Sequence, residues 1–220
     1  DWYRTTSDLS PLPSALLPYF EDNNMSTNSA LTGGAGFVYR LTPEFDLIGN
    51  IGTSYREPQN SEMFAFTNGA TLTIPNPELK PEEGVSYELG AAWHSGDVGF
   101  QVTGFYNRYR NLIVTAQNVL YEGARVNQRQ NVGNAEITGV EAEMRWQATD
   151  SINIFGKIST LHATDVDTNQ TLPYIAPVTG SIGVQYSPPD SGYSLIANAE
   201  WAGDKHHITS SEYPTDGYIV

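Results

Sequence analysis

The sequence predicts an all-β chain, an antiparallel up-and-down transmembrane β-barrel that supplies about eight or nine strands. Three observations predict it. Apolar and polar residues alternate with period two along successive segments, the connections between those segments alternate between short and long, and aromatic residues gather where the strands meet the short turns.

The strands follow in order. Residues 31–40 place Leu31, Gly33, Ala35, Phe37 and Tyr39 on one face, and 47–56 set Leu47, Ile51 and Tyr55 against Ile48, Asn50 and Arg56. Next, Val85, Tyr87, Leu89, Ala91 and Trp93 oppose Ser86, Glu88 and His94, while Phe100, Val102, Gly104 and Tyr106 oppose Gln101, Thr103 and Asn107. Val140, Ala142, Met144 and Trp146 oppose Glu141, Glu143 and Arg145, and Ile152, Ile154 and Ile158 oppose Asn153, Phe155 and Lys157. The last pair runs over 178–186 and 193–201, with Ile182, Val184, Tyr186, Tyr193, Leu195 and Trp201 opposite Gln185, Asn198 and Glu200. Period two is the signature of a strand whose two faces meet different surroundings.

Short turns (LTPEFD, SGD, QATDS, SPPDSG) alternate with long connections over 57–84, 114–135, 161–175 and 202–216. A sheet with two unlike ends produces that alternation. Tyr39, Trp93, Trp146 and Tyr186 precede short turns on the apolar face, and Phe100 and Tyr193 follow them, so all six are expected at one level of the sheet. That is the placement of an aromatic girdle at a membrane–water interface; a ring closing the bottom of a soluble barrel is the alternative. The opposite face carries Glu88, Glu141, Glu143, Arg145, Lys157 and Glu200. A narrow soluble barrel could not bury such charges unpaired, whereas a wide, wet or plugged lumen can hold them.

Composition narrows the function. With 11 Lys plus Arg against 25 Asp plus Glu, a formal net charge of −14, the chain has no electrostatic footprint for nucleic acid. Absence of cysteine removes disulfides, zinc–thiolate sites and thiol nucleophiles. No apolar run is long enough for a transmembrane helix, which does not bear on strands that show lipid only every second residue. The opening DWYRTTSDLS has no signal-peptide pattern. Neither GxSxG, HExxH nor a glycine-rich phosphate loop is present, so no enzyme and no cofactor are expected.

The runs SYREPQNSEMF (54–64), NPELKPEEGVSYELG (76–90), RNLI (110–113), NVGNAEITGVEAE (131–143) and LPYIAP (172–177), in this order, resemble the barrel region of TonB-dependent outer-membrane receptors. The resemblance implies a 22-stranded barrel in the Gram-negative outer membrane, short turns in the periplasm and long loops outside. It further implies import of a metal complex, a ferric siderophore first, powered by the TonB complex through a plug domain; a structural or adhesive barrel is the rival. Since the chain shows neither plug nor TonB box, residues 1–220 are expected to be a fragment of such a barrel, bordered by outer-membrane lipid. The motif positions are Arg56, Pro58, Glu62, Asn76, Pro77, Lys80, Pro81, Glu88, Gly133, Gly139, Glu141, Pro173 and Pro177.

Within that frame Arg56, Pro58 and Glu62 mark the exit from a strand, and Asn76, Pro77, Lys80 and Pro81 mark the return. They either shape the mouth of the lumen or form a stiff corner that fixes register. Candidate substrate contacts are Arg56, Met63, Tyr121, Arg125 and Arg129. Guanidinium groups match carboxylate or catecholate oxygens, and a thioether could meet copper; loop bridging and packing are the competing roles. Residues 59–75 contain no His, against the haem branch of the family. His206 and His207 are adjacent in a loop, and Asp165, Asp167 and Asn169 imitate half a calcium loop, so no metal site is expected from either.

Overall fold

The computed structural model describes residues 2–6, 25–64, 67–68, 72–121, 123–131, 133–205, 208 and 212–220. Among the described residues, strands β1 (Trp2–Thr6) and β2 (Met25–Ser29) pair only with each other. The main chain of strands is β3 (Gly34–Thr42), β4 (Phe45–Arg56), then, past the short β5 (Thr67–Asn68) and β6 (Leu72–Ile74), β7 (Glu82–Ser95) and β8 (Val98–Arg110). After the hairpin β9 (Ile113–Tyr121) and β10 (Ala124–Asn131) come β11 (Asn134–Thr149), β12 (Ile152–Asp165), the two-residue β13 (Gln170–Thr171), β14 (Thr179–Tyr186), β15 (Leu195–Ala202) and β16 (Tyr218–Ile219).

In the large sheet β3, β4, β7, β8, β11, β12, β14, β15 and β16 lie side by side in chain order, with β13 as an extra on β12. This is the up-and-down order expected. The observed strands are longer than the alternation suggested: β4, β7, β8, β11 and β12 have 12, 14, 13, 16 and 14 residues. A tilted membrane strand needs only about 9–11, so several residues of each are left over for the ends. The connection expected over 114–135 is instead β9 and β10, paired through Ala124↔Tyr121 and Asn131↔Ile113. The sequence reads as one long connection there because polar residues such as Gln128 and Asn131 interrupt the apolar alternation.

Two compact units share these strands: a loop unit (Asp1–Gly33, Thr53–Val85, Tyr109–Ala135) and a wall unit (Gly34–Gly52, Ser86–Arg108, Glu136–Val220). In the wall unit the register fixes the faces. Tyr186 pairs with Ile152 and Leu195, Val184 with Ile154 and Ala197, and Ile182 with Gly156 and Ala199; between them Gln185 pairs with Asn153, and Ser181 with Lys157 and Glu200. Directly paired residues share a face, so three strands in a row present aliphatic side chains on one side and polar ones on the other. The apolar side is bare: Leu89, Ile182 and Val184 are 60%, 55% and 42% exposed. Among the described residues the only fully apolar buried member of the wall unit is Ala163, whereas Met63, Phe64, Ile74, Leu79, Ile113, Val126 and Ala135 are buried in the loop unit. A sheet with an exposed aliphatic face and no core beneath it is built for lipid.

All six girdle aromatics are exposed near the short-turn ends, from 39% for Trp93 to 61% for Tyr39. Tyr186 is the last residue of β14, while Tyr193 precedes β15 by two residues and Tyr39 stands three before the end of β3. The opposite face is not wholly polar. Phe155 lies over its partner Gly183, where an added Cβ would come within 2.4 Å of the ring. Phe105 covers Gly139 in the same way, at 2.4 Å, with Thr160 O at 2.6 Å, so only glycine fits that motif position.

Candidate functional site

The loop unit is organised by the corner that the sequence singled out. Where β4 ends, Arg56 extends its guanidinium between two carboxylates. Nε and Nη2 donate to Glu82, Nη2 to Oε1 at 2.7 Å, while Nη1 donates to Glu62 Oε2 at 2.8 Å and Nη2 to Oε1 at 3.3 Å. Glu62 belongs to the helical turn Asn60–Met63 and also accepts the Gln59 amide at 2.9 Å. Glu82 opens β7 and accepts the amide of Ile113, first residue of β9, at 2.8 Å. One planar fork thereby joins the end of one strand, the following turn and the starts of two others.

The electrostatics agree with the geometry. Hydrogen bonds donated to Glu82 and then to Glu62 hold the Arg56 pKa well above its ordinary value. Burial pushes Glu62 upward, but the hydrogen bonds from Arg56 and the Gln59 amide, aided by the charges of Arg56 and Arg129, outweigh it and hold its pKa below the usual carboxylate value. Both carboxylates are sheltered, at 14% and 13% side-chain exposure, while Arg56 is 39% exposed.

The return leg is pinned differently. β6 runs parallel to β10 through Thr73↔Asn127 and Ile74↔Gln128. Gln128 Nε2 donates to Pro75 O at 3.1 Å, and Asn76 Nδ2 donates to Arg129 O at 2.8 Å. Asn131 then treats Lys80 as a strand neighbour: its Oδ1 accepts the Lys80 amide at 2.8 Å and its Nδ2 donates to Lys80 O at 2.9 Å and to Asn111 O at 2.6 Å. Asn111 has φ +56° and donates its amide to Gly133 O at 3.0 Å. The amide side chains thus supply partners for peptide groups of Pro75, Lys80, Asn111 and Arg129, in a stretch where Pro77 and Pro81 have no N–H to donate.

These bonds decide the fate of the sequence candidates. Arg56 is engaged by two carboxylates. Met63 is 0% exposed, packed with Phe64, Leu79 and Ile113, so its thioether is withdrawn from any ligand. Of the two roles open to Met63, copper contact and packing, complete burial favours packing. Arg129 is half-buried near Glu62, and Arg125 is exposed on β10. The Tyr121 side chain, His206 and His207 lie outside the described residues. Asp165 Oδ1 accepts the amides of Asp167 and Thr168 at 2.9 and 3.1 Å, so its carboxylate caps the turn before β13. Pro58 is buried, Gly133 is exposed, and Glu88 accepts from Asn50 Nδ2 at 3.4 Å. Glu141 lines a concavity on the polar face of the wall unit with Glu143, Lys157 and Glu200. Pro173 and Pro177 flank Tyr174, whose φ is +63° and whose amide donates to Glu212 Oε1 at 2.8 Å. Sequence reasoning assigned no partner to Glu82, Asn111 or Asn131, because each stands in a run of turn or polar residues where nothing local names a distant group.

An exposed aliphatic face, an ordered strand meander and clasped long loops define a class, the outer-membrane β-barrel of the receptor type. Residues 1–220 match the family model described as "TonB dependent receptor-like, beta-barrel", and the chain belongs to that family. It is 25% identical over 228 residues to the heme/hemopexin utilization protein C of Haemophilus influenzae, covering 91% of this chain and 31% of that protein. It is 28% identical over 120 residues to the vitamin B12 transporter BtuB of Photobacterium profundum, covering 54% and 19%. Among solved structures, the copper transporter OprC aligns with TM-score 0.73 at 17% identity, covering 90% of this chain and 31% of that one. An enterobactin-bound ferric enterobactin receptor mutant from Pseudomonas aeruginosa aligns at 0.68 and 18%, covering 90% and 32%. The chain therefore spans about a third or less of the relatives it matches. The family is one of outer-membrane receptors and transporters rather than enzymes, and it places this chain in the Gram-negative outer membrane.

Proposed function

We propose that the chain forms barrel wall and external loops of an active-transport receptor that binds and imports a metal complex, a ferric siderophore in the first instance. The TonB complex supplies the energy, acting through a plug domain of the whole protein. The observation that carries this reading is the Arg56–Glu62–Glu82 clasp, which ties the end of β4, the turn after it and the start of β7 together within the loop unit that also carries exposed Arg125 and half-buried Arg129. A loop cluster fixed by charge-assisted bonds is preorganised for recognition, and preorganisation spares a receptor the entropy of ordering its loops on binding. Relatives named for haem, vitamin B12, copper and ferric enterobactin support small iron- and metal-bearing solutes as the ligand class. Arg125 and Arg129, with Tyr121 beside them in sequence, are the proposed ligand contacts, and Arg56 holds them in place. The six girdle aromatics are proposed to mark the periplasmic water boundary.

The test is growth of a receptor-deleted strain carrying the natural full-length gene on single iron sources, with and without TonB. Uptake of one ferric chelate that disappears without TonB is expected, as is its weakening by Arg125→Ala. Uptake independent of TonB, or none while cells still adhere through this protein, favours the structural or adhesive barrel.

A further inference from the structure

Among the described residues four that are not glycine take a left-handed backbone: Asn111, Asn169, Asp190 and Tyr174. Asn and Asp enter that region readily because their short polar side chains bond locally, whereas an aromatic residue does not. Tyr174, at φ +63°, is therefore the member of the set that needs a cause. It stands in LPYIAP, after β13 and before β14, at the end of β14 opposite Tyr186 and the short turn. Packing does not hold it there, since Tyr174 is 79% exposed. The neighbouring prolines restrict their own φ and the residues before them, Leu172 and Ala176, but not Tyr174.

One bond holds it: the Tyr174 amide donates to Glu212 Oε1 at 2.8 Å. That carboxylate, 6% exposed, is fixed in turn by Lys205 Nζ. Lys205 exchanges backbone bonds with Thr215, at 2.9 and 3.3 Å, and beside it Asp204 Oδ1 accepts the Gly217 amide at 2.6 Å. All of these residues belong to the wall unit. A sheltered charge pair is an expensive way to close a corner that glycine would close without strain. What the arrangement achieves is to fix the direction of a bare phenol ring on a backbone that would otherwise relax. Strain kept at an exposed ring, with no packing to compensate it, is the mark of a preorganised contact.

Resting on the import of a ferric chelate proposed above, we infer that Tyr174 is a specificity-determining contact for the chelate and that Glu212 is a positioning residue acting through it. A phenol ring gains most from a flat aromatic partner, so it favours a chelate that carries aryl groups. In the test the natural full-length protein in mild detergent is titrated with a ferric tris-catecholate and with a ferric trihydroxamate free of aromatic rings, binding being read from quenching of intrinsic fluorescence. The catecholate is expected to bind more tightly. Tyr174→Ala and Glu212→Ala are each expected to weaken it about fivefold, the scale of one aromatic pair, and to leave the hydroxamate within about twofold. Tyr174→Phe keeps the ring and Glu212→Gln keeps a carbonyl acceptor for the Tyr174 amide, so both are expected within about twofold of the native protein. Because Glu212 acts through the ring, the double variant Tyr174→Ala/Glu212→Ala loses no more than either single one. Equal loss of both chelates, an unchanged catecholate affinity in Tyr174→Ala, tighter native binding of the hydroxamate, or losses that multiply in the double variant each overturn the assignment. Binding of neither chelate by the native protein refutes the import of a ferric chelate itself, and the contact with it. Barrel integrity is read from the heat-dependent shift in gel mobility; where Glu212→Ala does not fold, Glu212→Ser replaces it, and Tyr174→Ala decides the matter alone.

Discussion

Replacing Glu82 by Gln removes one charge and nothing else in volume, and its consequences can be worked out contact by contact. Arg56 loses an ionic partner on two of its nitrogens, keeps Glu62, and the Ile113 amide still finds a carbonyl oxygen on the new side chain. A fully buried pair broken on one side costs about 3–5 kcal/mol and an exposed pair about 0–1. With Glu82 sheltered and Arg56 39% exposed, the cost falls between, about 1.5–2.5 kcal/mol. Since the clasp joins loop to strand ends, that loss appears as local opening rather than collapse of the barrel. Amide hydrogen exchange on the full-length protein in detergent is the assay. Residues 59–64 and 111–115 are expected to exchange about 10–70-fold faster, while the mid-strand amides of β12 and β14 keep their rates. Arg40→Ala, which breaks the Arg40–Asp46 pair at 3.2 Å with Arg40 69% exposed, is expected to change exchange nearby less than about fivefold. If Glu82→Gln leaves both segments as protected as in the native protein, the clasp does not hold the loops and the reasoning fails.

Other consequences follow from the same contacts. The pKa of Glu62 is depressed, so its contribution is complete above the ordinary carboxylate value of about 4.3 and is lost as pH falls through the lower folded value; exchange of 59–64 is expected to accelerate only below about pH 4. An upward break between pH 6 and 8 would contradict this. Met63→Ala empties a fully buried site and is expected to cost about 2–4 kcal/mol locally, read as faster exchange around Leu79 and Ile113. A change in copper affinity with unchanged protection would instead restore the ligand role. Gly139→Ala drives a methyl into the Phe105 ring and Thr160 O, for about 1–3 kcal/mol; Phe105→Leu in the same chain is expected to recover part of the loss in urea unfolding. Asn131→Ala deletes three bonds to Lys80 and Asn111, about 1–3 kcal/mol, and a Lys80 amide that stays protected would refute its role as a ladder substitute.

Most of the wall was legible because its information is local. Alternation needs no partner to be read, and a strand between lipid and a polar lumen must alternate whatever its neighbours are. Val184, Ile154 and Ala197 could each be assigned a face from their own strand, and the register then placed them side by side. The loops were harder. In β10 the side chains of Gln128 and Asn131 and the carbonyl of Arg129 bond to another segment, so local alternation gave way to contacts 51 to 53 residues distant.

NPELKPEEG shows the division most clearly. By itself the sequence determined that this stretch is a proline-stiffened corner, that the strand after it has two unlike faces, and that the chain belongs among lipid-facing sheets; each follows from the backbone limits of proline and the pleat of a strand. Only the tertiary structure decided that Asn76 and Lys80 dock on β10 through amide side chains, that Glu82 is a partner of Arg56, and that Met63 is buried with Phe64, Leu79 and Ile113. Those outcomes depend on which distant groups arrive beside each residue, and a charge or an amide carries no mark of its partner until the fold supplies one.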